Sequence, residues 1–122
     1  MAEKKPVIII GGGLAGCEAA WQLLRRGHCV CMHEMRPQKC TPAHKTEFLA
    51  ELVCSNSLKS NSLQSAPGLL KEEMRCLDSL ILVAAQEAKV DAGTALAVDR
   101  LQFSRKVEEL LNAQDNFTLI RK

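Results

Sequence analysis

The chain has 122 residues, with 16 Lys+Arg against 14 Asp+Glu and a formal net charge of +2. That length allows one small domain at most, and so balanced a charge neither demands nor excludes a nucleic-acid partner. Aromatic residues make up 3% and Tyr is absent, so a stacking platform for bases is not visible, and no apolar run reaches the length that spans a membrane.

The amino-terminal elements carry the clearest signal. Val7-Ile8-Ile9-Ile10 is a β-branched run that predicts a strand. Gly11-Gly12-Gly13-Leu14-Ala15-Gly16 follows at once and leads into a helix from about Leu14 to Arg26. Gly11, Gly13 and Gly16 fit G-x-G-x-x-G, the turn that binds a dinucleotide. Each glycine answers a separate need: Gly11 the tight turn, Gly13 the approach of backbone to a pyrophosphate, Gly16 close helix–strand packing. The helix start offers N–H groups and partial positive charge to phosphates. Cys17, Trp21 and Leu24 share helical spacing, Ala20 is small enough to lie near the sheet, and Gly27 suits the residue after the helix end. A second strand covers roughly Cys29 to His33, and Glu34 at its end can accept hydrogen bonds from ribose hydroxyls. An acid there favours NAD or FAD over NADP, with Arg36 two residues on leaning the other way.

The rest is less regular. Arg36 to Lys45 is locally basic and reads as a solvated loop, interrupted by Arg36-Pro37 and Thr41-Pro42. Phe48 to Val53 is short and mostly apolar, and Cys54 to Ser62 is a polar, turn-forming segment. Pro67-Gly68 starts a second helix whose stripe Leu70, Met74, Leu77, Ile81, Ala84 and Ala88 is expected to pack against the sheet. Ala95 to Val98 reads as a short strand. Asp99 caps a third helix running to about Asn112, and Asn116 to Ile120 reads as a further strand. The fold class is α/β: a partial Rossmann-like fold with an incomplete sheet, because doubly wound sheets carry more strands covered on both faces.

The six cysteines are Cys17, Cys29, Cys31, Cys40, Cys54 and Cys76. There is no C-x-x-C pair, so no metal site is expected, and no signal peptide is visible. This reads as a cytoplasmic, reducing setting in which most thiols are small buried apolar groups.

Several segments after the second strand together carry a resemblance. They are His33-Glu34-Met35-Arg36-Pro37, Thr41-Pro42-Ala43-His44-Lys45-Thr46, Glu51-Leu52-Val53-Cys54-Ser55-Asn56-Ser57-Leu58, Pro67 to Met74, and Ala95-Leu96-Ala97-Val98-Asp99-Arg100. In that order behind the glycine motif, they resemble the N-terminal part of the folate- and FAD-dependent tRNA (uracil-5-)-methyltransferase family (TrmFO). The resemblance implies that residues 1–122 are the N-terminal segment of an FAD-binding domain, truncated relative to the family. It implies FAD as cofactor, methylenetetrahydrofolate as methylene donor, NAD(P)H as reductant, and tRNA as the substrate of the full-length protein, methylated at C5 of a T-loop uridine. By position, Gly11, Gly13, Gly16 and Glu34 match the FAD-binding motif and Cys54 the family's active-site cysteine; a second family cysteine lies further along than this chain reaches. The alternatives are an inactive truncated fragment, a related flavoprotein that modifies wobble uridines in tRNA, and, last, a generic NAD-dependent dehydrogenase.

Overall fold

A computed structural model describes residues 3–122. Strand β1 (Val7–Ile10) leads through the glycine turn into helix α1 (Leu14–Arg25), and strand β2 (Val30–Glu34) returns beside it. β1 and β2 are parallel, paired Val7 to Val30 through Ile10 to His33. The right-handed βαβ logic of such units places the helix on one face of the sheet. Helix α1 ends as the sequence suggests: Gly27 has φ +82°, and its N–H donates to Leu24 O at 3.0 Å.

Strand β3 (Ser57–Ser60) follows the long connection, then helices α2 (Ala66–Cys76) and α3 (Leu80–Glu87), and strands β4 (Lys89–Val90) and β5 (Ala95–Val98). Helix α4 (Arg100–Asn112) and strand β6 (Phe117–Arg121) complete the order. Asp99 caps α4 as expected, its carboxylate accepting from Gln102 N–H at 2.9 Å. The described residues form two three-stranded sheets. The parallel sheet has the order β1-β2-β6, while β3-β5-β4 is antiparallel. The strand expected at Ala95–Val98 therefore exists, but in the antiparallel sheet.

Register divides the parallel sheet into two unlike faces. Val7, Ile9, Val30, Met32, Phe117 and Leu119 point to the side that holds the core, where Cys17, Ala20 and Leu24 of α1 meet Phe103, Val107 and Leu111 of α4. The opposite face presents Ile8 and Ile10, 53% and 79% exposed, beside Cys31, His33 and Ile120. Parallel sheets are normally covered on both faces; among the described residues this one is small, with three strands, and is covered on one face only.

Three expectations need correction. The single helix read from Leu70 to Ala88 is two, because the chain turns at Asp78, whose φ is +57°. Ser79 then caps α3 by accepting from Leu82 N–H, while Glu18 of α1 receives both the Ser79 hydroxyl and Leu80 N–H. Ile81, Ala84 and Ala88 are buried among α1, α4 and β5, whereas Leu70 and Leu77 are 58% and 66% exposed. The polar run read as loop contains β3, paired with β5 at Ser57 to Ala97 and Ser60 to Ala95. Cys17 alone of the six thiols is fully buried; Cys29 and Cys31 are half-buried, and Cys40, Cys54 and Cys76 are exposed. Among the described residues no helix is long and apolar enough to cross a membrane.

Candidate functional site

The glycine turn is shaped by main chain rather than by side chains. Gly11 has φ +99°, which a residue with a Cβ rarely adopts, and its N–H donates to His33 O at 2.8 Å, fixing the turn to the end of β2. A Cβ on Gly16 would stand 2.0 Å from Gly11 O, so the helix can lie this close only without one. A Cβ on Gly12 would meet Leu49 Cδ2 at 2.4 Å and Glu34 Oε2 at 2.8 Å. Around the Cβ position of Gly13 there is nothing within 4 Å. Gly13 is also the N-cap of α1 and supplies no side-chain acceptor to the first-turn N–H groups. Open space above an uncapped helix start is the arrangement that accepts a phosphate.

Glu34 stands opposite. It is 4% exposed, and its carboxylate collects four contacts. Gly12 N–H reaches Oε2 at 2.8 Å, Arg36 N–H and Nε reach Oε1 at 3.0 and 3.1 Å, and Arg36 Nη2 reaches Oε2 at 3.4 Å. Burial alone would raise its pKa; the hydrogen bonds from Arg36 and Gly12, with the guanidinium charge, outweigh it and bring the carboxyl down to about 2. Glu34 is thus an anion, an acceptor only, at any ordinary pH.

A cavity of about 310 Å³ joins these parts, lined by Gly11, Gly12, Gly13, Glu34, Arg36 and His44 among others. Gly11, Gly13 and Glu34 are therefore brought together, and Gly16 acts from behind by letting the helix approach. Phosphates against the helix start and a hydroxylated sugar against the carboxylate are what this geometry suits, which is the adenosine–pyrophosphate end of a dinucleotide. Larger openings lie elsewhere, such as one of about 470 Å³ between α1 and α2, but they lack this combination of open backbone and buried anion.

Two residues escaped the sequence reading. Arg36, read as part of a solvated loop, is 2% exposed. Its Nη1 donates to Thr46 O at 3.2 Å and pairs with Glu51 Oε2 at 3.1 Å, so it holds two carboxylates at once. Glu51 in turn accepts at Oε1 from Lys45 N–H and Thr46 N–H, at 3.0 and 2.8 Å. Burial raises its pKa, but those N–H groups and Arg36 leave it lowered. The basic residue two positions after an acid at a strand end was the available signal, but its partner Glu51 is 15 residues away.

Cys54 is exposed and does not line the cavity between the glycine turn and Glu34. It sits between the buried stretch Leu49–Leu52 and Asn56. Asn56 clamps the segment to β5: its Nδ2 donates to Val98 O at 3.2 Å and its O accepts from Val98 N–H at 2.9 Å. Lys59, a candidate cation from the sequence, lies in β3 with φ +67°. Its charge is felt at Lys71, whose pKa is lowered by burial first and then by Arg75 and Lys59.

The family described as glucose inhibited division protein A matches residues 6–122. The chain belongs to that family. Its curated relatives include proteins named methylenetetrahydrofolate–tRNA-(uracil-5-)-methyltransferase TrmFO. The one from Solibacter usitatus is 62% identical over 117 residues, covering 96% of this chain and 26% of its own length. That from Shouchella clausii is 57% identical over 122 residues, covering the whole chain and 28% of its own length. The resemblance to the N-terminal part of TrmFO seen in the motifs is thus found along the whole sequence, and the chain spans about a quarter of the length of these relatives. Among solved structures, GidA of Aquifex aeolicus in its form II crystal superposes with a TM-score of 0.73 at 17% identity, over 96% of this chain and 19% of that one. This likeness supports the α/β, Rossmann-type fold.

Proposed function

We propose that this member of the glucose inhibited division protein A family is the nucleotide-binding N-terminal segment of an FAD- and methylenetetrahydrofolate-dependent tRNA (uracil-5-)-methyltransferase working in the cytoplasm. The observation that carries the reading is the cradle at the glycine turn, in a chain that keeps 62% identity to a protein bearing that name. In this proposal Gly11, Gly13 and the start of α1 take the pyrophosphate of FAD, Gly16 permits the close approach of helix to strand, and Glu34 accepts from the ribose. Of the four contacts to Glu34, that from Arg36 Nη2 is the longest at 3.4 Å, so it is the one that a ribose hydroxyl arriving at Oε2 would most readily displace. Bound FAD in its reduced state would supply the two electrons that convert a methylene group into a methyl group, with NAD(P)H as their source.

Cys54 is assigned to the tRNA. A thiolate can add to C6 of a uracil ring and so make C5 nucleophilic, or it can help to move the C5 proton. Its exposure, at the end of a segment held by Asn56 on one side and the buried Leu52 on the other, supports access to a large polynucleotide substrate. Folate, tRNA and the remaining catalytic groups belong to the whole protein, and the segment by itself supplies only part of the flavin site.

Two measurements test the reading. The purified 122-residue chain should bind FAD weakly, through its ADP end: ADP should compete, and the visible flavin spectrum should not survive gel filtration. Stoichiometric yellow flavin retained on the column would contradict that assignment. Grafting the chain in place of the matching segment of a full-length TrmFO should give an enzyme that methylates a tRNA transcript from methylenetetrahydrofolate. Cys54→Ala in that graft should abolish turnover, and unchanged turnover would remove Cys54 from the chemistry.

A further inference from the structure

The segment that leads to Cys54 is fastened to the glycine turn by three separate contacts. Ala50 N–H donates to Gly12 O at 2.8 Å. Leu49, which is fully buried, packs so tightly on Gly12 that no side chain fits between them. Arg36 bridges Glu34, which holds Gly12 N–H, to Glu51, three residues before Cys54. Ala50 itself has φ +54°, a region unfavourable for a residue with a Cβ. It stays there because both its polar groups are engaged, N–H by Gly12 and O by the Ser104 hydroxyl at 3.2 Å.

We propose that Arg36 is a positioning residue that transmits occupancy of the dinucleotide cradle to the segment bearing Cys54. The proposal rests on the reading of the cradle as an ADP site. A ribose hydroxyl arriving at Glu34 competes with Arg36 Nη2 for Oε2. The guanidinium is a rigid planar fork, so a shift at Nη2 is passed to Nη1, which holds Glu51 and Thr46 O. Glu51 gathers Lys45 and Thr46 N–H on its other oxygen, so the whole turn before Cys54 follows. The Arg36 side chain is 2% exposed and that of Glu51 10%. Water therefore cannot readily take over a broken contact, and such a network moves between discrete, fully paired arrangements rather than relaxing continuously. The pinned Ala50 provides the second point at which the turn and the segment move as one.

The test uses the 122-residue chain with ADP as probe. ADP binding is measured by calorimetry, and the rate of iodoacetamide alkylation at each cysteine is read by peptide mass spectrometry with and without saturating ADP. Cys76, exposed on α2, is the internal reference. ADP should change the Cys54 rate about fivefold or more, the lower range of measured couplings between sites, and leave Cys76 unchanged. Glu51→Gln keeps an oxygen for Lys45 and Thr46 N–H but removes the charge facing Arg36, and Arg36→Lys keeps the charge but removes the fork. Both should bring the Cys54 ratio toward one. A variant that loses the wild-type circular dichroism spectrum is replaced by Ser104→Ala, which frees the Ala50 carbonyl without touching a charge and should also lower the ratio. If ADP binds and the wild-type Cys54 rate stays within twofold, the coupling is overturned while the cradle stands. If the ratio persists in the folded variants, Arg36 is not its carrier. If ADP does not bind, the cradle reading falls and the coupling with it.

Discussion

Replacing Gly16 by Ala and, separately, Gly13 by Ala should damage different properties. At position 16 the added Cβ would lie 2.0 Å from Gly11 O and 3.2 Å from Gly11 C. An ordinary carbon–oxygen contact is about 3.3 Å, so the start of α1 must retreat by about 1.3 Å. The obstructing atom is main chain and cannot rotate away. Cys17, Ala20 and Leu24, the buried face of α1, would move with it. Overpacking of this kind costs up to about 3 kcal/mol, and Ala regains about 1 kcal/mol through its better helix propensity. The net loss is about 2 kcal/mol, which for a domain of this size lowers Tm by about 8 °C. At position 13 the methyl group meets nothing within 4 Å, and φ is −79°, open to any residue. Ala is a poorer N-cap than Gly, but it stiffens the unfolded chain by a similar amount, so Tm should stay within about 2 °C. Its methyl group does, however, occupy the space assigned to the pyrophosphate, and ADP affinity should drop about tenfold or more. Thermal circular dichroism and ADP calorimetry on both variants decide the matter. Gly16→Ala melting with the wild type, or Gly13→Ala binding ADP normally, would refute the assignment of close packing to one glycine and ligand approach to the other.

Acid should weaken the fold through Glu34. Its folded pKa of about 2 lies below the ordinary 4.5, so it contributes about 3 kcal/mol that is fully present above pH 4.5 and lost as pH falls toward 2. Glu51, also lowered, acts in the same direction. A Glu34→Gln variant should show a flatter stability curve below pH 4.5 in urea titrations, and an unchanged slope there would remove Glu34 as the source. Leu77→Ser should change stability by less than about 0.5 kcal/mol, whereas Ile81→Ala should cost about 2–4 kcal/mol, because one is 66% exposed and the other 7%. Equal losses in denaturant melts would restore the single continuous helix. Cys17, buried and pushed up to about 12, should resist alkylation at pH 8 until the chain unfolds, while Cys40 and Cys76 react at once; early labelling of Cys17 would show that the helix–sheet contact is open.

What could be read from the chain was what depends on neighbours in sequence. The strand, glycine turn, helix and second strand follow from β-branched residues, backbone freedom and 3.6-residue spacing, and each of these acts within a few positions. The stripe from Leu70 to Ala88 kept its period across a break because Leu77 happens to hold the right phase. The break is made by Glu18, 61 residues from Ser79, which holds the Ser79 hydroxyl and Leu80 N–H and so offers α3 a separate beginning. Ser57–Ser60 has no apolar alternation to announce a strand; it is one because β5 lies alongside with Ala95 and Ala97 in register.

Arg36 shows the same limit where it matters for function. Beside a proline in a basic, loop-like stretch, a guanidinium belongs in water on composition alone. Burying it would be costly for an isolated cation, and it is affordable here only because Glu34, Glu51 and Thr46 O converge on it from three parts of the chain. Neither carboxylate reveals that role in sequence, since Glu34 reads as a ligand for ribose and Glu51 as an interruption in an apolar run. Once the three are together, Glu34 cannot be treated as a free acceptor, because both its oxygens are already engaged. Its charge is already shared through Arg36 with Glu51, three residues before Cys54, so any group that engages Glu34 meets a carboxylate that is already tied to that segment.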